Sequence, residues 1–338
     1  MPLLSICIPT YKRERFLVDL VDVLIGQISQ EEISQEIEII VSDNDPESEI
    51  ASLLRNQIQN NTFFTYIKNK TNIGPKENLM SLYEKVNGKY IWFLGDDDLP
   101  AENAIQEILH LLKNYEPNLI FLKPQFTSNH KSFIPKSHEK INFFEVNAKK
   151  FIINSQMHIT FTSSLIFNNT KYSELEGKLN YRQFINTNFC FLEFILSLLK
   201  TEKKLFTSND ILITAFGGTQ GGYDVINAFG VELIKIIDTK LESSSFENKF
   251  MKKIILTAFI PSICHSMKEQ SLGNFKLDYE KAKHCIDLIY KKNIVLKFIC
   301  NMQLSNKKLV RSIGKAIYRL NKYALLLTEN LRIKFEIS

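Results

Sequence analysis

The chain has 338 residues, of which 44% are hydrophobic and 23% are charged, and its formal net charge is +5. This length allows one large domain or two ordinary ones, and the 12 glycines and 9 prolines are too few for a collagen-like or low-complexity chain. Five cysteines without a Cys-x-x-Cys spacing predict reduced thiols in a cytoplasmic protein rather than a zinc site or a disulfide framework. The start at Met1 lacks a signal-peptide pattern, and no apolar run is long enough to predict a transmembrane helix.

The first part of the chain predicts strands and helices in regular alternation. Short apolar runs indicate strands, and apolar residues repeated at helical spacing indicate helices. The predicted strands are 3–9, 36–41, 62–67, 90–94 and 118–122, and the predicted helices are 16–28, 48–59, 75–86 and 101–115. This alternation predicts an α/β fold in which a parallel sheet carries helices on both faces.

Polar residues follow four of these strands at the point where each one ends. They are Pro9, Thr10 and Tyr11 after the first, Asp43 after the second, Asn72 and Gly74 after the third, and Asp96, Asp97 and Asp98 after the fourth. Ligands of open parallel sheets bind outside the carboxyl ends of the strands, so these residues predict one site. Three adjacent carboxylates repel one another, and Mg²⁺ or Mn²⁺ bound with substrate phosphates would stabilise them. A solvated acidic turn before the next helix is the alternative for the three aspartates taken alone.

The glycine-rich loops that usually hold phosphates do not follow the first strand. The chain has neither G-x-x-x-x-G-K-[S/T] nor G-x-G-x-x-G there, which argues against a P-loop NTPase and a nicotinamide dehydrogenase. The phosphates of a nucleotide would then have to be held by a metal ion, which again points to the three aspartates.

Four motifs in order resemble those of family 2 glycosyltransferases of the GT-A fold, whose Rossmann-like, mostly parallel sheet is flanked by helices. They are SICIPTYKR at 5–13, IIVSDN at 39–44, Asn72-Ile73-Gly74 with Asn78, and FLGDDD at 93–98. The last motif looks like that of bacterial enzymes that build O-antigen, capsule or lipooligosaccharide, of the abequosyltransferase-like type. The resemblance implies an inverting, metal-dependent enzyme that moves a sugar from a nucleotide-diphosphate sugar, above all a UDP-sugar, to a growing surface glycan or a lipid-linked acceptor.

The resemblance also implies roles for the matching residues. Nucleotide binding would fall to Pro9, Thr10, Tyr11, Arg13, Asp43, Asn72, Gly74, Asn78 and Asp96. Asp43 would accept a hydrogen bond from the nucleobase, and Asp96 would lie near the ribose. Asp97 would bind Mn²⁺ or Mg²⁺, with Asp98 as a second or water-mediated ligand. Gly95 stands where the family often has an aspartate, which leaves the division of roles within the triplet open.

The following region gives weaker patterns. Residues 126–225 are expected to form the acceptor half of a catalytic domain at 1–225, whose donor half is 1–125. A loop is predicted at 133–144 and a strand at 157–167, where His158 is a packed or surface residue or a contact of a sugar or phosphate.

Inversion needs a carboxylate that takes the proton of the acceptor hydroxyl. In the family this acid opens a helix well after the metal motif, and Glu193, the one acid in the apolar run 188–199, fits that place. Asp210 and Asp224 are the reserve candidates. The glycine-rich run 217–223 predicts either a mobile loop over the donor or acceptor or a plain linker.

Residues 226–338 predict a helical extension with helices at 231–241, 250–266, 279–290 and 307–327. Between residues 291 and 334, eleven Lys and Arg residues stand against one acid, and apolar residues are interleaved with them. This pattern favours contact with the inner face of the cytoplasmic membrane. Packing on the chain's own core, or on a second copy in a homo-oligomer, is the alternative. No nucleic-acid motif accompanies the charge, so a nucleic-acid partner is not expected.

Two other functions fit parts of the pattern. A nucleotidyltransferase would have a similar sheet, but it would carry a glycine-rich basic loop where this chain has PTYKR at 9–13. A catalytically inactive scaffold that binds a nucleotide-sugar within a membrane assembly is the non-enzymatic alternative, and the intact Asp43 and acidic triplet argue against it.

Overall fold

The computed structural model describes residues 1–28, 31–127, 141–176, 180–216, 224–266, 279–291, 293–305 and 307–319. The contacts between residues divide the chain into two compact units, 1–218 and 219–338. Every described strand lies in the first unit, and the described part of the second unit is helical.

Within the described residues, nine strands form one sheet. They are β1 (Leu4–Thr10), β2 (Ile37–Asp43), β3 (Phe64–Lys68), β4 (Tyr90–Phe93), β5 (Asp98–Pro100), β6 (Leu119–Thr127), β7 (Phe143–Val146), β8 (Leu165–Asn168) and β9 (Leu205–Phe216). Their order is β3-β2-β1-β4-β8-β6-β9-β5, and β7 pairs with the start of β9. The first four strands are parallel, as predicted. The expected parallel sheet continues as a mixed one, because β8 runs antiparallel between β4 and β6, and β5 and β7 run antiparallel to β9.

The helices of the first unit follow the predicted apolar spacing. They are α1 (Glu14–Ile28), α2 (Glu31–Ser34), α3 (Ile50–Leu53), α4 (Arg55–Asn60), α5 (Pro75–Tyr83), α6 (Ala104–Tyr115), α7 (Ala148–Ser155), α8 (Asn169–Glu176) and α9 (Leu192–Leu199). The apolar stripes of α1 and α6 are buried, which explains why these helices form where the periodicity placed them. The predicted helix 48–59 is divided at Leu54 into α3 and α4. The predicted α/β class is confirmed.

The predicted strand at 157–167 is wrong over most of its length. Two 3₁₀ turns, Gln156–Thr160 and Thr162–Ser164, precede β8. The hydroxyl of Thr160 donates to the carbonyl of Met157 at 2.7 Å, a local bond that competes with strand pairing. The predicted loop at 133–144 overlaps β7 at its end, and residues 133–140 lie outside the described residues.

Helix α9 is internal, since all eight of its residues are buried. Phe194 is at the centre of its packing. The ring lies 4.6 Å from Phe167, 4.6 Å from Tyr83 and 4.8 Å from Tyr172, measured between centroids. It also lies 6.1 Å from Phe93 at the end of β4, so α9 packs behind the strand that leads to the acidic triplet.

The second unit is built from helices that largely match the prediction. They are α10 (Val225–Asn227) with α11 (Leu233–Lys240), α12 (Phe246–Ile254) with α13 (Ile260–Ser266), α14 (Tyr279–Ile289), α15 (Ile294–Gln303) and a helix at 308–319. One π-helical turn joins each of the first two pairs. The rest of the predicted helix 307–327 lies outside the described residues. No helix in the described ranges combines the length and apolarity needed to cross a bilayer.

Candidate functional site

A short loop from β4 to β5 carries the three aspartates and buries all of them. Asp96 is 3% exposed, Asp97 8% and Asp98 4%. The backbone N–H of Asp98 donates to the carbonyl of Gly95 at 3.1 Å, which closes the loop into a turn. Burial of neighbouring carboxylates is unfavourable unless cations or donors compensate it, so the contacts of each aspartate define what the site can hold.

Asp96 is held by two residues from the end of β1 and the loop after it. The hydroxyl of Thr10 donates to its Oδ2 at 2.7 Å, and Nη1 of Arg13 donates to its Oδ1 at 2.8 Å. The same guanidinium nitrogen lies 3.3 Å from Oδ2 of Asp97. Burial raises the pKa of Asp96 to about 6, although the charge of Arg13 opposes the rise. One guanidinium shared by two carboxylates leaves negative charge at this edge, which favours a bound cation.

Asp98 is turned away from Arg13 and toward Ser163. The hydroxyl of Ser163 donates to Oδ2 of Asp98 at 2.5 Å and accepts from the backbone N–H of Gly95 at 2.9 Å. The indole N–H of Trp92 donates to the carbonyl of Ser163 at 2.8 Å, which fixes that residue. Burial and the nearby charge of Asp97 raise the pKa of Asp98 well above its ordinary value.

The glycine that departs from the family pattern is required by this arrangement. A Cβ atom on Gly95 would lie 2.5 Å from Oδ2 of Asp98 and 3.3 Å from Oδ1 of Asp97. Any side chain at this position would displace the Asp98 carboxylate from Ser163. Sequence reasoning missed Ser163, because it is 65 residues from Asp98 and only the antiparallel insertion of β8 brings it there.

Asp43 ends β2 directly beside Thr10, its register partner on β1. It is fully buried, and its two carboxylate oxygens accept from the hydroxyl of Tyr66 at 2.6 Å and from the backbone N–H of Asp45 at 3.0 Å. Burial and the Asp43 carboxylate raise the pKa of Tyr66, so the phenol keeps its proton and donates it. Tyr66, which sequence reasoning did not single out, therefore orients Asp43.

A set of asparagines fixes the loop after β3. The amide oxygen of Asn72 accepts from the Asn44 side chain at 2.8 Å and from the Gly74 N–H at 2.9 Å. Gly74 has φ +84°, a left-handed conformation that favours glycine, immediately before Pro75 opens α5. The described side-chain hydrogen bonds of Asn78 join it to Ser42 and Asn69, so Asn78 holds β2 to α5.

The structure thus brings the predicted donor-site residues to one edge of the sheet. The group includes Pro9, Thr10, Tyr11 and Arg13 from the first strand and its loop, Asp43, Asn72, Gly74, Asn78, and Asp96 to Asp98. Tyr11 is 42% exposed and stands at the surface of this edge.

Glu193 lies apart from that edge, in the first turn of α9. It is 0% exposed, and its Oε1 accepts from the hydroxyls of Ser197 at 3.3 Å and Tyr172 at 3.5 Å. Of the reserve candidates, Asp210 accepts from the backbone N–H of Asn142, and Asp224 caps α10 in the second unit. The glycine-rich run 217–223 lies outside the described residues.

The acidic loop fits a metal site of the kind that substrate completes. Among the described residues, no group of three or more His, Cys, Asp or Glu side chains is gathered as a closed metal site. Mg²⁺ and Mn²⁺ commonly use one or two carboxylates and take their other ligands from phosphates and water. Asp97, with Asp96 beside it and a shared guanidinium, would supply the hard oxygen ligands of such an open site.

Comparison with known proteins gives a family and a fold. Residues 5–173, half of the chain, match the family model described as glycosyl transferase family 2. The abequosyltransferase RfbV of Salmonella typhimurium is 35% identical over 106 residues, which are 30% of this chain and 30% of that protein. The match therefore spans less than a third of this curated relative.

Two solved structures share the fold over most of the chain. S. aureus TarS in complex with UDP-GlcNAc superposes with a TM-score of 0.60 at 14% identity, covering 95% of this chain and 92% of that one. The mannosyltransferase PcManGT of Pyrobaculum calidifontis, in complex with GDP-Man and Mn²⁺, has a TM-score of 0.54 at 12% identity and covers 94% and 84%. At these identities the likeness shows the fold alone.

Proposed function

The chain belongs to glycosyl transferase family 2, with the GT-A fold, and we propose that it transfers a sugar with inversion from a nucleotide-diphosphate donor to a bacterial surface glycan or its lipid-linked precursor. The observation that carries this proposal is the buried acidic loop beside Asp43 at one edge of the sheet. We propose 1–225 as the catalytic domain, with donor half 1–125 and acceptor half 126–225, and 226–338 as its helical extension.

The donor side of the proposal follows from the acceptor groups at the ends of β1 and β2. Asp43 is presented by Tyr66 and would accept an N–H of the nucleobase, as uracil offers at N3. Pro9, Thr10 and Tyr11 line the same edge, and Asn72, Gly74 and Asn78 shape the loop opposite. A UDP-sugar is the donor we favour. The complex of TarS, a protein of the same fold, with UDP-GlcNAc supports this choice.

A divalent metal, Mn²⁺ or Mg²⁺, would be held mainly by Asp97. Asp98 would contribute through a bound water molecule, because its Oδ2 already accepts the hydroxyl of Ser163. When bound, such an ion neutralises charge on the leaving nucleotide. Arg13 is positioned between Asp96 and Asp97, where it balances the carboxylates and offers N–H donors to a phosphate. The Mn²⁺ in the PcManGT complex supports the choice of metal.

For the proton of the acceptor hydroxyl, we propose Glu193 as general base. Helix α9 packs through Phe194 on Phe93, two residues before Gly95, which ties this helix to the strand that leads to the acidic loop. The hydroxyls of Tyr172 and Ser197 would hold the carboxylate in place. Because Glu193 is buried, this role requires that acceptor binding open a path to it.

The second unit supports a proposal of contact with an anionic membrane surface. Ile294, Val295 and Phe298 share one face of α15 and are 78%, 65% and 60% exposed, and Leu309 in the following helix is 74% exposed. Basic side chains accompany them at positions 291, 297, 307, 308, 311, 315 and 319. Exposed apolar residues within basic helices are typical of interfacial anchors, and anionic lipids add about 1 kcal/mol per basic residue.

Vesicle flotation tests this proposal. We expect the protein to float with phosphatidylglycerol-containing vesicles and not with neutral ones, and Phe298→Glu should reduce the bound fraction severalfold. Leu53→Glu, at a position 59% exposed in the first unit, is the matched control. Equal flotation of the wild type and Phe298→Glu would contradict the proposal, and association of purified copies without vesicles would favour a homo-oligomer.

A thermal-shift panel tests the donor site. UDP-, GDP-, dTDP- and CMP-sugars are each added with Mn²⁺ or with EDTA, and binding at a hundredfold excess over Kd stabilises a protein by about 2.7 kcal/mol. We expect a shift with one nucleotide class, UDP foremost, that needs the metal. If no nucleotide shifts the melting temperature, the donor site is absent. If a nucleotide shifts the melting temperature but no sugar is transferred to an acceptor in a lysate, the alternative of an inactive scaffold that binds a nucleotide-sugar is favoured.

A further inference from the structure

An exposed cluster of aromatic rings adjoins the acidic loop on the side away from Asp43. Phe126, near the end of β6, is 55% exposed. Its ring centroid lies 5.5 Å from that of His158 and 5.4 Å from that of Phe161. Single exposed apolar residues are common on protein surfaces, whereas a contiguous aromatic group beside an active site indicates binding.

The sheet register places this cluster next to the acidic loop. Ala215 of β9 is paired with Phe126 on one side and with Asp98 on the other. Directly paired residues present their side chains on the same face, so the ring, the methyl group and the carboxylate face the same way. Two strand spacings, about 10 Å, separate the backbone of Phe126 from that of Asp98. Ala215, which is only 2% exposed, lies between the exposed ring of Phe126 and the buried carboxylate of Asp98.

The turns before β8 contact both Phe126 and Asp98. Phe161 packs on Phe126, and Ser163, two residues later, donates to Asp98. A single segment therefore fixes the position of the aromatic ring relative to the acidic loop.

The position of the cluster separates it from the nucleotide. In the sheet order, Asp43 lies on β2, two strands from β4 on one side, whereas Phe126 lies on β6, two strands from β4 on the other. A donor whose base meets Asp43 and whose phosphates meet the acidic loop would end short of Phe126. The acceptor must lie next to the reacting sugar, and the Phe126 side of the acidic loop is the side that such a donor leaves free.

We propose that Phe126, His158 and Phe161 form an acceptor subsite that stacks against the C–H face of a pyranose ring. The C–H face of a sugar is apolar and carries partial positive charge, which matches the negative face of an aromatic ring. The hydroxyl edge of the same sugar would then point across Ala215 to the acidic loop. This subsite rests on the proposed function, because it assigns the acceptor side of that site.

Saturation-transfer NMR tests the subsite with methyl glycosides of glucose, galactose, mannose and N-acetylglucosamine as probes. We expect at least one glycoside to receive saturation mainly on one ring face. Phe126→Ala should raise its apparent Kd about tenfold, equivalent to about 1.4 kcal/mol. Phe126→Leu should behave like the alanine variant because it keeps bulk without a ring, and Phe126→Trp should retain binding.

Phe144→Ala is the matched control. Phe144 is 46% exposed in the same sheet, paired with Thr207 at the opposite end of β9, and its loss should leave glycoside binding unchanged. The proposal is overturned if no glycoside binds the wild type or if Phe126→Ala binds as well as the wild type. Nucleotide-sugar melting shifts in the same samples separate this failure from failure of the proposed function, in which the donor shift itself is missing.

Discussion

Replacing Asp97 with asparagine is expected to lower the rate of sugar transfer at least about a hundredfold. Charge stabilisation by a catalytic metal amounts to several kcal/mol, and each 1.36 kcal/mol is a factor of ten in rate. Asn keeps the shape of Asp97 but removes the charge that a hard cation needs. The fold should survive, because asparagine has nearly the volume of aspartate and Asp96 keeps its bonds to Thr10 and Arg13.

The measurement combines transfer rates with Mn²⁺ binding by calorimetry in the presence of the nucleotide diphosphate. For Asp97→Asn we expect Mn²⁺ binding to weaken together with the rate. Asp98→Asn is the informative comparison, since Asp98 faces Ser163 and an asparagine oxygen can still accept its hydroxyl. We expect the Asp98 variant to lose less Mn²⁺ affinity than the Asp97 variant. The reverse order would exchange the two roles, and unaltered Mn²⁺ binding in both would remove the metal from the acidic loop.

The donor half of the fold was predictable because its signals are local. The strands β1, β2 and β4 are mostly apolar runs, and the register sets Thr10 at the end of β1 beside Asp43 at the end of β2. A parallel alternation fixes which ends of the strands meet, so Thr10, Asp43 and Asp96 could be grouped from the sequence alone.

The acceptor half was not predictable, because its contacts join residues that lie far apart in the sequence. The antiparallel entry of β8 between β4 and β6 joins residues 65 positions apart, and no local pattern encodes the bond from Ser163 to Asp98. The run at 157–167 has strand composition, yet the hydroxyl of Thr160 donates to the carbonyl of Met157 and two 3₁₀ turns form. Gly95 stands where the family often has an aspartate, and its missing Cβ makes room for the Asp98 carboxylate.

Glu193 shows the limit of composition as a guide to a catalytic base. A single acid in an apolar helix is consistent with function or with one solvated side, and the structure excludes the solvated side because the residue is 0% exposed. A buried carboxylate held by the hydroxyls of Tyr172 and Ser197 is either a base that the acceptor reaches or a polar group that stabilises the core. The two roles predict different rates of sugar transfer for Glu193→Gln.

Replacing Glu193 with glutamine is expected to lower kcat by about 10²–10⁴, the usual contribution of a general base. Glutamine keeps an oxygen for the two hydroxyls and removes only the ability to take a proton, so the donor-induced melting shift should be unchanged. Ser197→Ala, which removes one hydrogen bond and leaves the carboxylate, is the control and should keep most of the wild-type kcat.

A structural role would give a different pair of results. If Glu193 only stabilises the core, Glu193→Gln should transfer sugar at a rate within about threefold of the wild type, because the buried oxygen and its hydrogen-bond partners remain. Glu193→Ala would then lower the melting temperature without lowering kcat of the folded fraction. In that case the base must come from another carboxylate, and Asp210 and Asp224 are next to be tested, each by substitution with asparagine and the same measurement of kcat. The decisive quantity is therefore kcat of Glu193→Gln at an unchanged donor-induced melting shift.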